Sequence, residues 1–160
     1  DIENAIRESD IHEPITSLIA IENTHNACGG KILPLNYLRS LKNLSNTYQI
    51  PIHMDGARLW NALEEYKVDI VESITECVDS ISVCLSKGLG APLGSLLVGT
   101  NDFIQKARRY RKALGGGMRQ TGFVASAGLI AFNNFKKHML KEDHNKAKRI
   151  SKCLQGLKLS

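Results

Sequence analysis

Ser80-Ile-Ser-Val-Cys-Leu-Ser-Lys-Gly-Leu-Gly-Ala-Pro92 is the stretch from which the rest of the chain is read. Ser80 to Leu85 is a short apolar run carrying β-branched Ile81 and Val83, the length and composition of a buried strand. Lys87 follows almost at once. A strand end is an unusual place for a strongly hydrated charge. Near the rim of a dry pocket the charged form is disfavoured, which frees the amine as a nucleophile toward an aldehyde. Gly88 and Gly90 allow close backbone approach, and Pro92 fixes the exit. Taken alone, a Lys-Gly pair after a strand is usually a solvated turn.

The same pattern recurs on both sides. Ile15 to Ile21 is an apolar run that empties into polar Glu22-Asn-Thr-His-Asn26, and Gly29-Gly30 marks a turn. Apolar residues at 35, 38, 41, 44 and 48 predict a helix over Leu35–Tyr48, with Pro34 suited to its first turn. Ile50 to Met54 is a second strand, broken by Gly56, and Leu59–Tyr66 resumes a helix. Ser95–Gly99 is a fourth strand. Helices are expected over Asp102–Leu114, Phe123–Phe135 and Lys141–Leu157, with Gly115-Gly-Gly117 as a break after the first of them. Short apolar strands alternating with helices predict an α/β fold with a mostly parallel sheet in a single domain, residues 1–160. Ligands of such sheets sit beyond the carboxyl ends of the strands. Chemistry is therefore expected in three loops: Glu22 to Asn26, Asp55 to Arg58, and Ser86-Lys87.

Composition narrows the classes. With 42% hydrophobic and 23% charged residues the chain is globular. No apolar run approaches the roughly 20 residues of a membrane span, so no membrane partner is expected. The net charge of +5 sits mainly in Lys106–Arg119 and Lys136–Lys152, helical segments with few interleaved aromatics. That distribution fits solvated helix faces, some reserved for an anionic ligand, rather than nucleic acid. Cys28, Cys77, Cys84 and Cys153 form neither a CxxC knuckle nor a disulfide framework, so no metal is expected and the thiols read as free, in a reducing cytoplasm. The acidic, polar opening Asp1 to Asp10 reads as an internal cut.

The second loop is Ile52-His-Met-Asp-Gly-Ala-Arg-Leu59. An aspartate at a strand end can pair with a protonated ring nitrogen, and Arg58, three residues on, can offer its planar fork to a carboxylate or phenolate in the same pocket. Equally, Asp55 can cap the following helix with Arg58 on its surface.

Four blocks together resemble one family: Glu-Asn-Thr-His-Asn at 22–26, His-Met-Asp-Gly-Ala-Arg at 53–58, Ser-Lys-Gly-Leu-Gly-Ala-Pro-Leu-Gly-Ser at 86–95, and Arg-Lys-Ala-Leu-Gly-Gly-Gly-Met-Arg-Gln at 111–120. In order and spacing they are similar to the signature blocks of the low-specificity L-threonine aldolases, enzymes of fold type I that depend on pyridoxal 5′-phosphate (PLP). The resemblance covers nearly the whole chain. It implies that Lys87 holds PLP as a Schiff base, that Asp55 contacts the pyridinium nitrogen, and that Arg58 reaches the phenolate oxygen and the substrate carboxylate. Lys112 and Arg119 match basic residues of the family's active-site region, suited to substrate or cofactor anions, or else to structural pairing or a subunit contact. His12 falls where the family keeps a histidine facing the substrate hydroxyl. His25 is a further pocket candidate, and His53 is expected to pack.

The activity implied is retro-aldol cleavage of L-threonine or L-allo-threonine to glycine and acetaldehyde, in a homo-oligomer, dimer or tetramer. Lys87 would capture the substrate, His12 or a water it holds would take the β-hydroxyl proton, and Asp55 would keep the ring an electron sink. Family members run to about twice this length. The chain is therefore expected to be the core of the PLP-binding large domain, without its amino-terminal segment and carboxy-terminal small domain, and inactive by itself. Two alternatives stay open: another fold type I lyase or racemase, and an inactive piece that contributes only to a subunit interface.

Overall fold

A computed structural model of the chain describes residues 1–66, 71–135 and 139–155. Four strands form one sheet in the order β1 (Ile19–Glu22), β2 (Ile52–Gly56), β3 (Ser80–Cys84), β4 (Ser95–Gly99). The first three run parallel and β4 is antiparallel to β3, so the sheet is mostly parallel, as the alternation of strands and helices predicts. The helices described are α1 (Leu35–Tyr48), α2 (Leu59–Glu65), α3 (Val71–Cys77), α4 (Asn101–Ala113), α5 (Gly122–Phe135) and α6 (Met139–Leu154).

The period of two along each strand separates the faces of the sheet. One face carries Ile19, Ile52, Met54, Ile81 and Val83, all buried, and α1, α2 and α3 cover it with Leu38, Leu41, Leu59, Ala62, Ile74 and Cys77. The other carries Glu22, Asp55 and Ser82, aligned side by side across β1, β2 and β3. Apolar residues therefore fix the sheet from one side and leave the polar row on the other. β4, at the edge, is exposed along its whole length.

Several boundaries differ from the sequence expectation, each for a physical reason. The first strand begins at Ile19 rather than Ile15, because pairing starts only where Ile19 meets Ile52; Ile15 and Leu18 are exposed. The second begins after Pro51, which has no N–H to give a ladder, and the Ile52 amide donates to Asp79 Oδ2 at 2.8 Å. Gly56 does not break this strand but ends it in register with Val83. A Cβ there would lie 2.9 Å from the Ser82 carbonyl oxygen and 3.1 Å from Leu59 Cβ, so glycine is what lets β3 and α2 close against the strand. α3 is unanticipated, being seven residues with too short a periodic pattern to read. The helix expected over Lys141–Leu157 starts at Met139, and its last two residues lie outside the described ones. All four cysteines are free.

A second small core, Leu85, Leu89, Ala91 and Ala131 with Trp60 and Phe135, packs the loop after β3 between α2 and α5. Trp60 Nε1 donates to the Cys84 carbonyl at 3.0 Å and stacks edge-on against Phe132 and Phe135.

Candidate functional site

The loops beyond the carboxyl ends of β1, β2 and β3 meet at one end of the sheet. The Lys87 loop is tied down by its own backbone: the Leu85 amide donates to the Gly94 carbonyl, Ala91 to Leu85 and Gly90 to Lys87, each at 2.9 Å. Gly90, at φ +76°, closes the turn in the left-handed region that glycine tolerates. Lys87 itself is exposed and lines a cavity of about 660 Å³ together with Arg58, Thr24, Gly30 and Gly88.

Asp55 lines a neighbouring cavity of about 380 Å³, with Glu22, His25, His53 and Tyr37. Its Oδ1 accepts from the Ala57 amide at 2.9 Å. This is a local turn and not a cap, because α2 begins only at Leu59. His53 Nδ1 lies 2.8 Å from Ser80 Oγ, which holds its ring against β3 while it lines the Asp55 cavity. Glu22 links the two cavities: it lines the Asp55 cavity while its Oε1 lies 3.9 Å from the Arg58 guanidinium and accepts from the Asn26 amide at 3.2 Å. His25 Nε2 stands 3.7 Å from the other Glu22 oxygen, and its buried Nδ1 has no hydrogen-bond partner.

Lys87, Arg58 and Asp55 are thus gathered by the ends of β2 and β3. The other sequence candidates are not brought to them. His12 is exposed and bonded within its own segment, Nδ1 to Asp10 Oδ1 at 3.0 Å. Bonds from the His12 amide and then from its ring hold the Asp10 carboxyl below the usual range. Lys112 lies in the last turn of α4 and Arg119 just before α5; both are exposed and line neither cavity.

A cluster absent from the sequence candidates lines the same cavity as Lys87. Glu65 accepts from Lys148 Nζ at 2.7 and 2.9 Å and from His144 Nδ1 at 2.7 Å, and Asn61 Nδ2 lies 3.1 Å from His144 Nε2. The Lys148 bond, followed by that of His144, holds the Glu65 carboxyl below its ordinary value against the opposing pull of burial. Spacing is the signal that could have found these residues. Asn61 and Glu65 stand four apart along α2, with Arg58 three residues earlier at its N-cap, and Leu140, His144 and Lys148 stand four apart along α6, so the helical residues of each set share a face. That the two faces meet is a tertiary fact.

The chemistry of the donor set suits a pyridoxal ring. An amine for its aldehyde and a guanidinium for its phenolate share one cavity, a carboxylate for its ring nitrogen lines the next, and the unpartnered His25 Nδ1 adds a polar atom still to be satisfied.

Similarity to known proteins agrees. The beta-eliminating lyase family matches residues 1–160. The low-specificity L-threonine aldolase of Escherichia coli K12 is 45% identical over 150 residues, 94% of this chain. The low-specificity L-threonine aldolase 1 of Arabidopsis thaliana is 44% identical over 160 residues, 98% of it. The solved threonine aldolase of Leishmania major superposes on 97% of the chain with a TM-score of 0.82 at 23% identity, which bears on the fold alone, and the expected fold type I architecture holds. The chain spans 44% of the length of each of the two curated relatives and 46% of the solved one.

Proposed function

The chain belongs to the beta-eliminating lyase family, and on that premise we propose that it forms the cofactor-holding core of a PLP-dependent aldehyde-lyase. The reaction is retro-aldol cleavage of L-threonine or L-allo-threonine to glycine and acetaldehyde. The observation that supports this most is the convergence of Lys87 and Arg58 on one cavity, with Asp55 in the next and Glu22 lining one while touching Arg58 of the other. The names of the relatives support the choice of substrate.

PLP, when bound, supplies the sink for the electron pair released as the Cα–Cβ bond breaks. Lys87 would hold its aldehyde carbon through the side-chain amine, which lies in a loop fixed by three backbone bonds. Asp55 would accept the ring N–H, and its bond to the Ala57 amide orients the carboxylate for this. Arg58 would donate to the phenolate oxygen and to the substrate carboxylate, steadied by Glu22.

His12 lies outside both cavities in this chain, so we propose it as the base for the β-hydroxyl, directly or through a water, only as it stands in the full-length assembly. A carboxylate only accepts, so Asp10 fixes the proton on Nδ1 and leaves Nε2 free to take one. Lys112 and Arg119, which line neither cavity in this chain, would meet anionic groups of substrate and cofactor only in the full-length assembly. The protein as a whole is proposed to be a cytoplasmic homo-oligomer, dimer or tetramer, with the present residues as the core of its large domain. Among the described residues no helix is long and apolar enough to cross a membrane.

The test uses the full-length protein. Wild type should release acetaldehyde from threonine and, after borohydride reduction with PLP, carry the label on Lys87; Lys87→Ala should lose both the label and the absorbance near the visible edge. Labelling of a different lysine, or activity surviving in Lys87→Ala, overturns the assignment.

A further inference from the structure

We propose that Asn61 and His144 are positioning residues for Lys87, an inference that rests on the role given to that lysine above. The turn after Lys87 is wedged between two helices. A Cβ placed on Gly88 would lie 2.7 Å from Asn61 Oδ1 and 3.4 Å from both Leu140 methyl carbons, so side chains of α2 and α6 fill the space beside the residue next to the lysine and leave no room for a side chain there. The side chains behind this wedge form a chain: Lys148 and His144 donate to Glu65, and His144 in turn meets Asn61. All of them line the cavity that holds Lys87.

The direction of each bond fixes the arrangement. The Glu65 carboxylate only accepts, so the His144 proton sits on Nδ1; Nε2 is then an acceptor, and the Asn61 amide must turn its NH2 toward it. The amide oxygen is thereby directed to Gly88. His144 acts as a spacer with a donor on one side and an acceptor on the other. Its neighbours in the cavity include Asp143 and Lys148 of α6, Glu65 of α2, and Arg58 and Lys87. Without the spacer the Asn61 side chain has no fixed rotamer. The Lys87–Gly88 turn then loses one wall, and the lysine amine the direction from which it enters the cavity.

The test compares full-length wild type with Asn61→Ala, His144→Ala and His144→Gln. Gln can donate to Glu65 and accept from Asn61, so it reproduces the spacer without an imidazole. Three measurements are made: the rate at which Lys87 captures added PLP, followed at the visible edge; backbone amide exchange over residues 86–92; and far-UV circular dichroism to confirm folding. Asn61→Ala and His144→Ala should slow capture by about tenfold or more and raise exchange in 86–92 while remaining folded, and His144→Gln should restore both toward wild type. Capture and exchange unchanged in the alanine variants would overturn the proposal. So would a folded His144→Gln as impaired as His144→Ala. If Asn61→Ala fails to fold, the His144 pair still decides. If wild type carries its label elsewhere than Lys87, the functional reading fails, and the exchange data still judge the wedge separately.

Discussion

Replacing Asp55 by asparagine isolates charge from structure. In the folded chain Asp55 makes one bond within its turn, accepting from the Ala57 amide at 2.9 Å through Oδ1. The amide oxygen of the substituted side chain can accept that bond equally, so the turn that leads to Arg58 and α2 should persist and thermal stability should barely change. What is lost is the negative charge that, in the proposed role, would face the cofactor's ring nitrogen. Two unit charges about 3 Å apart attract by about 5 kcal/mol at an effective dielectric of about 20. Asp55 is exposed here, so solvent screening reduces this to about 3 kcal/mol, roughly a hundredfold in rate. Asp55→Asn in the full-length protein should therefore bind PLP, melt with wild type, and release acetaldehyde from threonine about a hundredfold more slowly. Asp55→Ala should show the same kinetic loss and, in addition, a lower melting temperature, because the Ala57 amide loses its acceptor. Turnover of Asp55→Asn within a few-fold of wild type would refute the reasoning and leave Asp55 a turn residue only. A melting temperature that fell as far in Asp55→Asn as in Asp55→Ala would show that the two effects had not been separated.

Asp79 ties the start of β2 to α1, accepting from the buried Ile52 amide at 2.8 Å and from Lys42 at 2.9 Å. Burial pulls its carboxyl upward, but these two bonds outweigh it and leave it below the ordinary value of 3.8. Its stabilisation is thus complete above that value and is lost as pH falls below it. Asp79→Ala should cost about 1–3 kcal/mol in denaturant unfolding at neutral pH, and the difference from wild type should shrink on acidification; a constant difference down to the acid limit would count against this account. Residues 1–160 expressed alone should associate through β4, an edge strand whose Leu96, Leu97 and Val98 are all exposed, and should release no acetaldehyde. A monodisperse, active monomer in light scattering and assay would overturn that expectation.

Local features were legible in the residues themselves. Apolar runs of strand length and helical spacing over Leu35–Tyr48 appear in the fold as read, because each depends on side chains that alternate or recur within one element. The position of Lys87 after a strand, and of Asp55 and Arg58 at and just past the end of another, follows from the same local pattern together with the rule that parallel strands present their ends on one side. Boundaries slipped where pairing partners decided them, as at Ile19 and Gly56, since a strand is as long as its neighbour allows. Tertiary packing placed Glu22 against Arg58, kept His12 with Asp10 outside both cavities, and brought the Asn61–Glu65 face of α2 onto Leu140 and His144 of α6. The two faces lie far apart in the chain, 83 residues from Asn61 to His144. No period or motif links them, and only the packing of both helices around the Lys87 loop joins them.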